Sequence, residues 1–375
     1  MEKILLLTLE TFRAAGGIQS MNRALANSLQ GLSVKHNWIF DLYAYCDRKA
    51  DLDARYLPKK SFSAFDKHKV KFVVQSIKKG LKADLIILTH INLSAIAWVI
   101  YLLNPKCRIW LVAHGVEVWR PLKLWKKSIW NICEHIICVS RFTQHKVIAL
   151  HQASTDRCVV VNNILDPFLT LPESFYKPDH LLKRYQVKTT QKVIFTLTRI
   201  SASEQFKGYD QVIRAISQLR KKRNDIKYIL AGPYDEAEKE RILQLVSDHD
   251  LNDNFLLTGY IDDQDLADHF LLADVFVLPS KKEGFGIVFI EAMAFGLPVI
   301  CGNADGSIDA VRNPQMGTTV DPDDLEALEK AITQQLDRVL TIETRKGIQE
   351  QCLKYFNQEL YMQTLERLIK NGTAS

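Results

Sequence analysis

Two glutamates and two glycines follow a predicted buried strand within residues 278–300. Glu283 lies in a loop with Gly284 and Gly286, and Glu291 falls in the helix that begins directly after this loop. Glycine lets backbone amides approach a ligand closely, and the unsatisfied N–H groups of a helix start attract anions. Carboxylates accept hydrogen bonds from hydroxyl groups. The stretch therefore predicts a cradle for a phosphate group and a sugar.

Two cations flank a loop that follows another predicted strand. Arg199 comes directly after the strand at residues 193–198, and Lys207 precedes a helix at residues 209–220. Positive charges at a strand end suit a diphosphate. Taken alone, such a pair is more often explained as solvated loop charge. Because the carboxyl ends of parallel strands share one sheet edge, we expect this loop to lie beside the loop of Glu283.

A glycine pair lies between the first predicted strand, residues 3–9, and the first predicted helix, residues 20–29. Gly16 and Gly17 would let the backbone approach a ligand without an intervening side chain. An ordinary tight turn also explains a glycine pair, and no GxGxxG pattern occurs at this point. The pair is therefore a candidate binding turn whose weight depends on its surroundings.

Two histidines each follow a predicted strand of the N-terminal half. His90 comes after the strand at residues 84–89, and His114 comes after the strand at residues 108–113. Functional groups of open parallel sheets gather at such strand ends. A single histidine there more often has a structural role, whereas two on one sheet edge favour a functional role.

The elements that position these residues alternate between strand and helix in both halves of the chain. Apolar runs typical of buried parallel strands recur, and the pattern restarts after a proline-rich segment. The sequence therefore predicts an α/β protein with two doubly wound parallel-sheet, Rossmann-like domains facing a cleft. We expect an N-terminal domain at residues 1–165, a linker at 166–178, a C-terminal domain at 179–355, and a final helix at 356–375 that crosses back to the N-terminal domain.

Charge is distributed unevenly along the 375 residues, whose formal net charge is +6. Residues 1–165 hold 24 Lys and Arg against 11 Asp and Glu, so this part of the chain suits an anionic partner. Within it, residues 67–82 and 119–130 interleave lysine with apolar side chains, as helices on anionic lipid surfaces do. Ordinary amphipathic surface helices show the same pattern, and both interpretations remain open. No nucleic-acid-binding motif accompanies the charge, so we expect no nucleic-acid partner.

The cysteines and the hydropathy indicate a compartment. The seven cysteines form an odd, scattered set without a CxxC pair, which is typical of reduced cysteines in a cytosolic protein. The longest apolar run is too short to cross a bilayer, and residues 1–3 lead into a strand rather than a signal peptide. We therefore expect a cytoplasmic protein, peripheral at the inner face of the membrane if the basic segments bind lipid.

Residues 280–300 read SKKEGFGIVFIEAMAFGLPVI and resemble the signature block of the retaining GT-B glycosyltransferases of family 4, also described as glycosyl transferases group 1. Two glutamates separated by seven residues belong to that signature. The resemblance covers nearly the whole chain, because further motifs occur in the family's order. These are GGI at residue 16, HG at 114, VSRFT at 139, the loop of Arg199 and Lys207, GP at 232 and TGY at 258.

The resemblance implies a GT-B fold and a reaction. The reaction would move a hexose from a nucleotide diphosphate sugar to a lipid-linked or saccharide acceptor, in the synthesis of cell-envelope polysaccharide or glycolipid. A UDP-hexose, with UDP-glucose first, is the preferred donor, and GDP-mannose is the second choice. The N-terminal domain would lie on the acceptor side, and the C-terminal domain would bind the nucleotide sugar.

The resemblance also implies roles for individual residues. Arg199 and Lys207 would stabilise the leaving β-phosphate. Glu283 would hold the donor sugar, His114 would contact it, and these four residues form the predicted catalytic set. The predicted donor-binding residues are Gly16, Gly17, Gly232, Tyr260, Gly284, Phe285, Gly286, Ile287 and Glu291.

No metal or other cofactor is expected, because two cations and a helix start would neutralise the leaving phosphate. The pairs Asp51-x-Asp53 and Asp321-x-Asp323 resemble metal-binding DxD motifs. Both fall in polar loops away from strand ends, so chance is the better explanation. Retention of anomeric configuration is attributed to same-face attack assisted by the leaving phosphate, rather than to a double displacement.

Two departures from the family pattern bear on these roles. The residues SASEQ are inserted between Arg199 and Lys207, so Lys207 reaches the site only if this loop folds inward. Asp309 stands where many relatives carry glutamate, and no catalytic role is assigned to it.

Two other functions remain open. A sugar-nucleotide epimerase with the GT-B fold would form product without any acceptor. A non-catalytic module that binds sugar nucleotides or membranes would be indicated by loss of the cations or the glutamates, and all of these are present.

Overall fold

The computed structural model describes residues 1–312 and 316–371, which fold into two compact units. Unit 1 comprises Met1–Leu169 together with the segment that begins at Phe356, and unit 2 comprises Thr170–Tyr355. Each unit is built on one parallel sheet flanked by helices.

Unit 1 alternates strands and helices along most of its length. Its strands are β1 (Lys3–Thr8), β2 (Ile39–Ala44), β3 (Phe62–Ala64), β4 (Leu85–Leu88), β5 (Arg108–Ala113), β6 (His135–Cys138) and β7 (Cys158–Val160). Its helices are α1 (Gly17–His36), α2 (Lys69–Gly80), α3 (Ser94–Leu103), α4 (Leu124–Lys127), α5 (Ile129–Ile132), α6 (Arg141–His151) and, at the end of the chain, α15 (Gln358–Asn371).

The sheet of unit 1 is parallel throughout and runs in the order β3-β2-β1-β4-β5-β6-β7. Leu5 and Leu7 of β1 pack in one cluster with Phe72 of α2 and Ile100 of α3. Helix α15 packs against α1. The strand order reverses between β1 and β4, and parallel sheets bind ligands at such a switch point.

Unit 2 repeats the alternation. Its strands are β8 (Lys192–Leu197), β9 (Ile226–Ala231), β10 (Phe255–Gly259), β11 (Val275–Leu278), β12 (Val299–Gly302) and β13 (Gly317–Val320). Its helices are α7 (Asp179–Arg184), α8 (Tyr209–Arg220), α9 (Glu236–Asp248), α10 (Asp263–Leu272), α11 (Ile287–Ala294), α12 (Ser307–Ala310), α13 (Leu325–Asp337) and α14 (Ile342–Tyr355).

The sheet of unit 2 is also parallel, in the order β10-β9-β8-β11-β12-β13. Strand β11 is buried along its whole length, because helices cover both of its faces. The strand order reverses between β8 and β11, so the loops after these two strands meet at a switch point. The prediction of two doubly wound parallel sheets is therefore confirmed.

The structure also tests two predictions about helices. The final helix expected from residue 356 is present as α15, which begins at Gln358 after α14 ends at Tyr355. The prediction of a single surface helix over residues 119–130 is wrong. The segment forms only α4 and α5, and Ile129 and Trp130 are buried in the core rather than displayed to solvent.

None of the helices in the two described ranges combines the length and the apolar character that a bilayer crossing requires.

Gly232 provides a test of how tightly unit 2 is packed. It has a φ of 132°, and an added Cβ would lie 1.8 Å from the Thr198 carbonyl oxygen. We expect Gly232→Ala to lower the free energy of unfolding by roughly 2–4 kcal/mol, because both strain and a backbone clash result. Urea unfolding followed by circular dichroism measures this loss.

Gly347 is the matched control. It lies inside α14, and an added Cβ meets nothing within 4 Å. Gly347→Ala should raise the free energy of unfolding by about 0.5–1 kcal/mol, since alanine loses less backbone entropy in a helix. Equal destabilisation by the two substitutions would contradict the packing described.

Candidate active site

Two loops meet at the carboxyl edge of the unit 2 sheet, where β8 and β11 are neighbours. The first follows β8 and contains Arg199 and the short 3-10 segment Ala202–Lys207. The second follows β11 and contains Glu283. The Lys281 N–H donates to the Phe206 carbonyl oxygen over 3.0 Å, which joins the loops directly. The two loops therefore lie side by side, as the sequence predicts.

Lys207 and Glu283 form an ion pair between these loops. The Lys207 ammonium contacts the Glu283 carboxylate, and each side chain is only 16% exposed. Burial alone would lower the pKa of Lys207. The charge of Glu283 and its hydrogen bond, helped by Glu204 and Asp305, outweigh burial and raise that pKa above its ordinary value. Lys207 is therefore cationic at neutral pH.

The residues inserted before Lys207 fold inward because a buried glutamate holds them. Glu238 of α9 is 1% exposed. Its carboxylate accepts hydrogen bonds from Gln205 Nε2 over 3.2 Å and from the Tyr209 hydroxyl over 2.6 Å. Arg241 donates to the same carboxylate over 2.7 Å and balances its charge. The network fixes the chain on both sides of Lys207.

A third loop, which follows β12, holds the main chain of Glu283. Asp305 is fully buried, and its Oδ2 accepts the Glu283 N–H over 2.7 Å. The Gly306 N–H donates to the Glu283 carbonyl oxygen over 2.8 Å. Sequence reasoning singled out Asp309 in this segment and missed Asp305. The Asp-Gly pair signals a turn, but no local pattern links it to a residue 22 positions earlier.

Helix α11 begins directly after the second loop. Gly286, which precedes it, has a φ of 81°, and no side chain among the described residues caps the helix start. Phe285 and Ile287 are 1% and 7% exposed, so their side chains are not accessible to a ligand. Gly284 is partly exposed, and Glu291 is partly buried in the second turn. The start of α11, which no described side chain caps, therefore lies beside the ion pair.

Arg199, the other predicted cation, pairs with Glu204 in its own loop over 3.2 Å. The Arg199 side chain is 62% exposed. Solvent screens an exposed pair of this kind, so it is weak. Arg199 can therefore exchange Glu204 for an anionic ligand with little loss.

Gly232 and Tyr260 lie at the ends of β9 and β10, on the same sheet edge as Lys207. The Gly232 N–H donates to the Gly259 carbonyl oxygen over 2.8 Å. Tyr260 is the next residue and is 57% exposed. The structure thus brings these two predicted donor-binding residues together.

In unit 1, Gly16 and Gly17 form the start of α1, close to the switch point between β1 and β4. The preceding loop is held by Asp47, which is fully buried. Its carboxylate accepts the N–H groups of Thr11 over 3.1 Å and of Phe12 over 3.0 Å. A fixed loop therefore leads into the glycine turn.

The two histidines of unit 1 differ in their contacts. His114 follows β5 and is 7% exposed, and burial lowers its pKa to about 4 despite a hydrogen bond with the Thr89 backbone. Its Nε2 is buried and has no hydrogen-bond partner in the described part of the chain. His90 Nδ1 accepts the Asn92 N–H over 3.0 Å. His114 is therefore neutral at pH 7 and offers an unused ring nitrogen.

Members of both DxD pairs already have partners within the protein. Asp53 pairs with Arg55 over 2.7 Å, and the Asp321 carboxylate accepts the Asp323 N–H over 2.9 Å. Within residues 1–312 and 316–371, no three His, Cys, Asp or Glu side chains converge as metal ligands do. Metal independence itself stays a prediction.

Comparison with known families identifies the class. Residues 179–351 match the family described as Glycosyl transferases group 1, and residues 15–167 match the family described as Glycosyltransferase Family 4. The first match spans the ion pair and α11, and the second includes the glycine turn of unit 1. The chain belongs to the GT-B glycosyltransferases of family 4, as its two Rossmann-like sheets also indicate.

Two curated relatives are mannosyltransferases. The GDP-mannose-dependent alpha-(1-6)-phosphatidylinositol monomannoside mannosyltransferase of Mycolicibacterium smegmatis is 29% identical over 241 residues, which are 60% of this chain and 60% of that protein. O-antigen chain mannosyltransferase B of Escherichia coli is 28% identical over 215 residues, which are 57% of this chain and 55% of that protein. The chain thus spans less than two thirds of the length of either relative.

A solved structure shares the fold over the full chain. HepE from Anabaena, in complex with UDP, aligns with a TM-score of 0.80 and 17% identity, covering 99% of this chain and 100% of that chain. Another structure of HepE contains UDP-glucose. At this identity the likeness shows the fold alone.

The charge of Lys207 depends on Glu283, and this dependence can be measured. In Glu283→Gln the carboxylate is lost while burial remains, so the pKa of Lys207 should fall relative to the wild type. Acetylation of Lys207 by acetic anhydride, quantified by mass spectrometry between pH 7 and 10, should then begin at lower pH.

The control is Asp323→Asn, which removes the partner of Lys281 from an exposed ion pair. Solvent screens that pair, so the acetylation profile of Lys281 should not change. An unchanged profile of Lys207 in Glu283→Gln would show that the two side chains are not coupled.

Proposed function

We propose that this protein is a retaining hexosyltransferase that moves a hexose from a nucleotide diphosphate sugar to a lipid-linked or saccharide acceptor. The observation that carries the proposal is the ion pair of Lys207 and Glu283 beside the start of α11. A buried cation at a helix start suits a diphosphate, and a carboxylate next to it suits sugar hydroxyls.

The leaving nucleoside diphosphate gathers negative charge as the glycosidic bond breaks. Lys207 would bind the β-phosphate, and Arg199 would join it by leaving Glu204. The N–H groups at the start of α11 would add partial positive charge. Charges fixed in advance stabilise a transition state without reorganisation, so no divalent metal is needed in this scheme.

The sugar and the ribose would be held by hydrogen bonds. The Glu283 carboxylate and the amides of Gly284–Ile287 would bind hydroxyls of the donor sugar, and Glu291 would bind the ribose hydroxyls. A sugar contact by His114 of unit 1 stays a prediction from the family resemblance; its Nε2 is buried and has no hydrogen-bond partner among the described residues. These contacts would orient the anomeric carbon for attack.

Retention would follow from attack on the same face that the phosphate leaves. A double displacement needs a free carboxylate close under the anomeric carbon. The Glu283 carboxylate is instead neutralised by Lys207, which makes it a poor nucleophile. The ion pair therefore supports phosphate-assisted, same-face attack.

For the donor we propose GDP-mannose ahead of UDP-glucose, which reverses the preference expected from the sequence. The M. smegmatis relative is named as GDP-mannose-dependent, and the E. coli relative is named as a mannosyltransferase. The UDP and UDP-glucose complexes belong to a protein only 17% identical, so they carry less weight. The same relatives' names support an acceptor in glycolipid or cell-envelope polysaccharide synthesis.

We also propose that unit 1 contacts an anionic membrane from the cytoplasmic side through α2. Its outer face carries Lys69, Lys71 and Lys78 together with Val70 and Val74, which are 77% and 43% exposed. The neighbouring α3 adds two exposed leucines near its end, Leu102 and Leu103. Lysines around exposed apolar side chains suit an anionic lipid surface.

The transferase proposal predicts loss of turnover when the ion pair is broken. Lys207→Ala and Glu283→Ala should each lower kcat by roughly 10²–10³-fold, the usual effect of removing one charge-stabilising group. Transfer from GDP-mannose and UDP-glucose to lipid and oligosaccharide acceptors measures kcat, and NMR of the product measures its anomeric configuration.

The matched control breaks an exposed ion pair of unit 2. Lys222→Ala and Glu329→Ala should leave kcat unchanged.

The assay is run in EDTA, and turnover that appears only with added Mg²⁺ would contradict metal independence. Wild-type rates in both Lys207→Ala and Glu283→Ala would show that this ion pair is not part of the active site. Product formed without acceptor would indicate an epimerase.

The membrane proposal predicts weaker binding to anionic vesicles when α2 loses charge. Each lysine near such a surface contributes about 1 kcal/mol, so three should change partitioning roughly 100-fold. The variant replaces Lys69, Lys71 and Lys78 with Gln, and sedimentation with phosphatidylglycerol-containing vesicles measures binding.

Two further variants make this test specific. Replacing Lys183, Lys188 and Lys221 of unit 2 with Gln changes the net charge equally and should leave vesicle binding unchanged. Replacing Lys123, Lys126 and Lys127 should have a smaller effect than the α2 variant, because Lys126 already contacts Asn92. Equal loss in all three variants would indicate net charge rather than a docking surface.

A further inference from the structure

Both carboxylate oxygens of Asp305 are used as acceptors in the interior of unit 2. Oδ2 accepts the Glu283 N–H over 2.7 Å. Oδ1 accepts the Ser307 N–H over 3.0 Å and the Ser307 hydroxyl over 2.5 Å. Asp305 and Ser307 are both fully buried, so water does not compete for these bonds.

The main chain of Glu283 is held on both sides by this loop. Its N–H donates to Asp305, and its carbonyl oxygen accepts the Gly306 N–H over 2.8 Å. The two bonds hold the peptide groups on either side of the Glu283 Cα, and so they fix the direction of its Cα–Cβ bond. The Glu283 carboxylate is thereby aimed at Lys207.

We propose that Asp305 is a positioning residue for the transfer reaction, which fixes the backbone of Glu283 and so sets where the Glu283 carboxylate meets the donor sugar. The proposal rests on the function proposed above. Because Asp305 is fully buried and binds the Glu283 N–H, its effect would pass through Glu283 rather than through contact with a substrate.

An ionised carboxylate is required because three donors point at its two oxygens. A protonated acid or an amide would direct a hydrogen of its own at one of these N–H or O–H groups. Asparagine at this position therefore keeps the shape of the side chain but loses at least one of the hydrogen bonds. A neutral Asp305 should hold the Glu283 backbone less firmly, because either Oδ2 no longer accepts its N–H or the Ser307 bonds that orient the carboxyl group are lost.

The environment of Asp305 gives this requirement a pH dependence. Burial first, and then the nearby charge of Glu283, raise the pKa of Asp305 to about 6, against the hydrogen bonds from Ser307 and Glu283 that lower it. Lys207 and the Cys301 thiol are the other titratable groups that interact with it. Because the ionised form positions Glu283, the rate should fall as pH drops through this pKa.

Three variants test the proposal. Asp305→Asn removes the charge, and Ser307→Ala removes one hydrogen bond that lowers the pKa of Asp305 while it keeps the carboxylate. Asp274→Asn is the matched control. Asp274 is also buried and accepts a backbone N–H, from Val193 over 2.7 Å, but it precedes β11 and so lies at the opposite end of the sheet.

The expected kinetics separate positioning from folding. Asp305→Asn should lower kcat roughly 10–100-fold, since small displacements of a substrate-holding group have effects of this size. Binding of free GDP or UDP, which lacks the sugar, should change less than about threefold. The fall of kcat at low pH, called the acidic limb below, should disappear in Asp305→Asn. It should move to higher pH in Ser307→Ala and stay in place in Asp274→Asn.

Hydrogen exchange provides a measurement that does not depend on activity. The Glu283 amide should exchange faster in Asp305→Asn than in the wild type or in Asp274→Asn, since its acceptor is lost or held less firmly. Unchanged exchange would show that Asp305 does not hold this backbone, whether or not the wild type transfers sugar.

Two outcomes would overturn the positioning role itself. One is faster exchange with wild-type kcat, and the other is an acidic limb that stays in place in both Asp305→Asn and Ser307→Ala. If the wild type neither binds a nucleotide sugar nor transfers one, the proposed function fails, and the exchange result still decides whether Asp305 fixes Glu283. Should Asp305→Asn not fold, the shift of the limb in Ser307→Ala decides the question.

Discussion

The site in unit 2 depends on one constraint, which is that two largely buried opposite charges must stay in contact. Lys207 and Glu283 are each only 16% exposed, and their charged groups are in direct contact. Removing one partner of a buried pair typically costs about 3–5 kcal/mol, because the remaining charge is left unpaired. The loops that carry the two residues must therefore be held in register by the rest of the unit.

Buried acidic side chains supply that register. Glu238 holds the loop of Lys207 through Gln205 and Tyr209, and Asp305 holds the backbone of Glu283. A buried carboxylate also holds a loop in unit 1, where Asp47 accepts hydrogen bonds from two N–H groups of the loop that leads to the glycine turn. Loops at the carboxyl edge of a parallel sheet have no ladder partner for their N–H groups. A buried carboxylate from a neighbouring loop takes that place.

Some parts of this arrangement could be predicted from the sequence and others could not. Apolar periodicity predicts parallel strands, and the carboxyl ends of parallel strands share one sheet edge. That much of the contact between the loops of Lys207 and Glu283 could be predicted from the sequence. The helix predicted over residues 119–130 was wrong, because its lysine and tryptophan spacing resembles an amphipathic face. The core instead takes up Ile129 and Trp130.

The sequence by itself determined the class, because apolar strand runs, glycine turns and the block at residues 280–300 are local patterns that survive without the fold. The sequence also predicted Arg199, Lys207, Glu283 and Glu291 as charged residues of the site. Only the tertiary structure decided how those residues are held. The partners Gln205 and Glu238, and Asp305 and Glu283, are 33 and 22 positions apart. Contacts across such separations arise from the order in which β8, β9, β11 and β12 pair, and no local pattern encodes them.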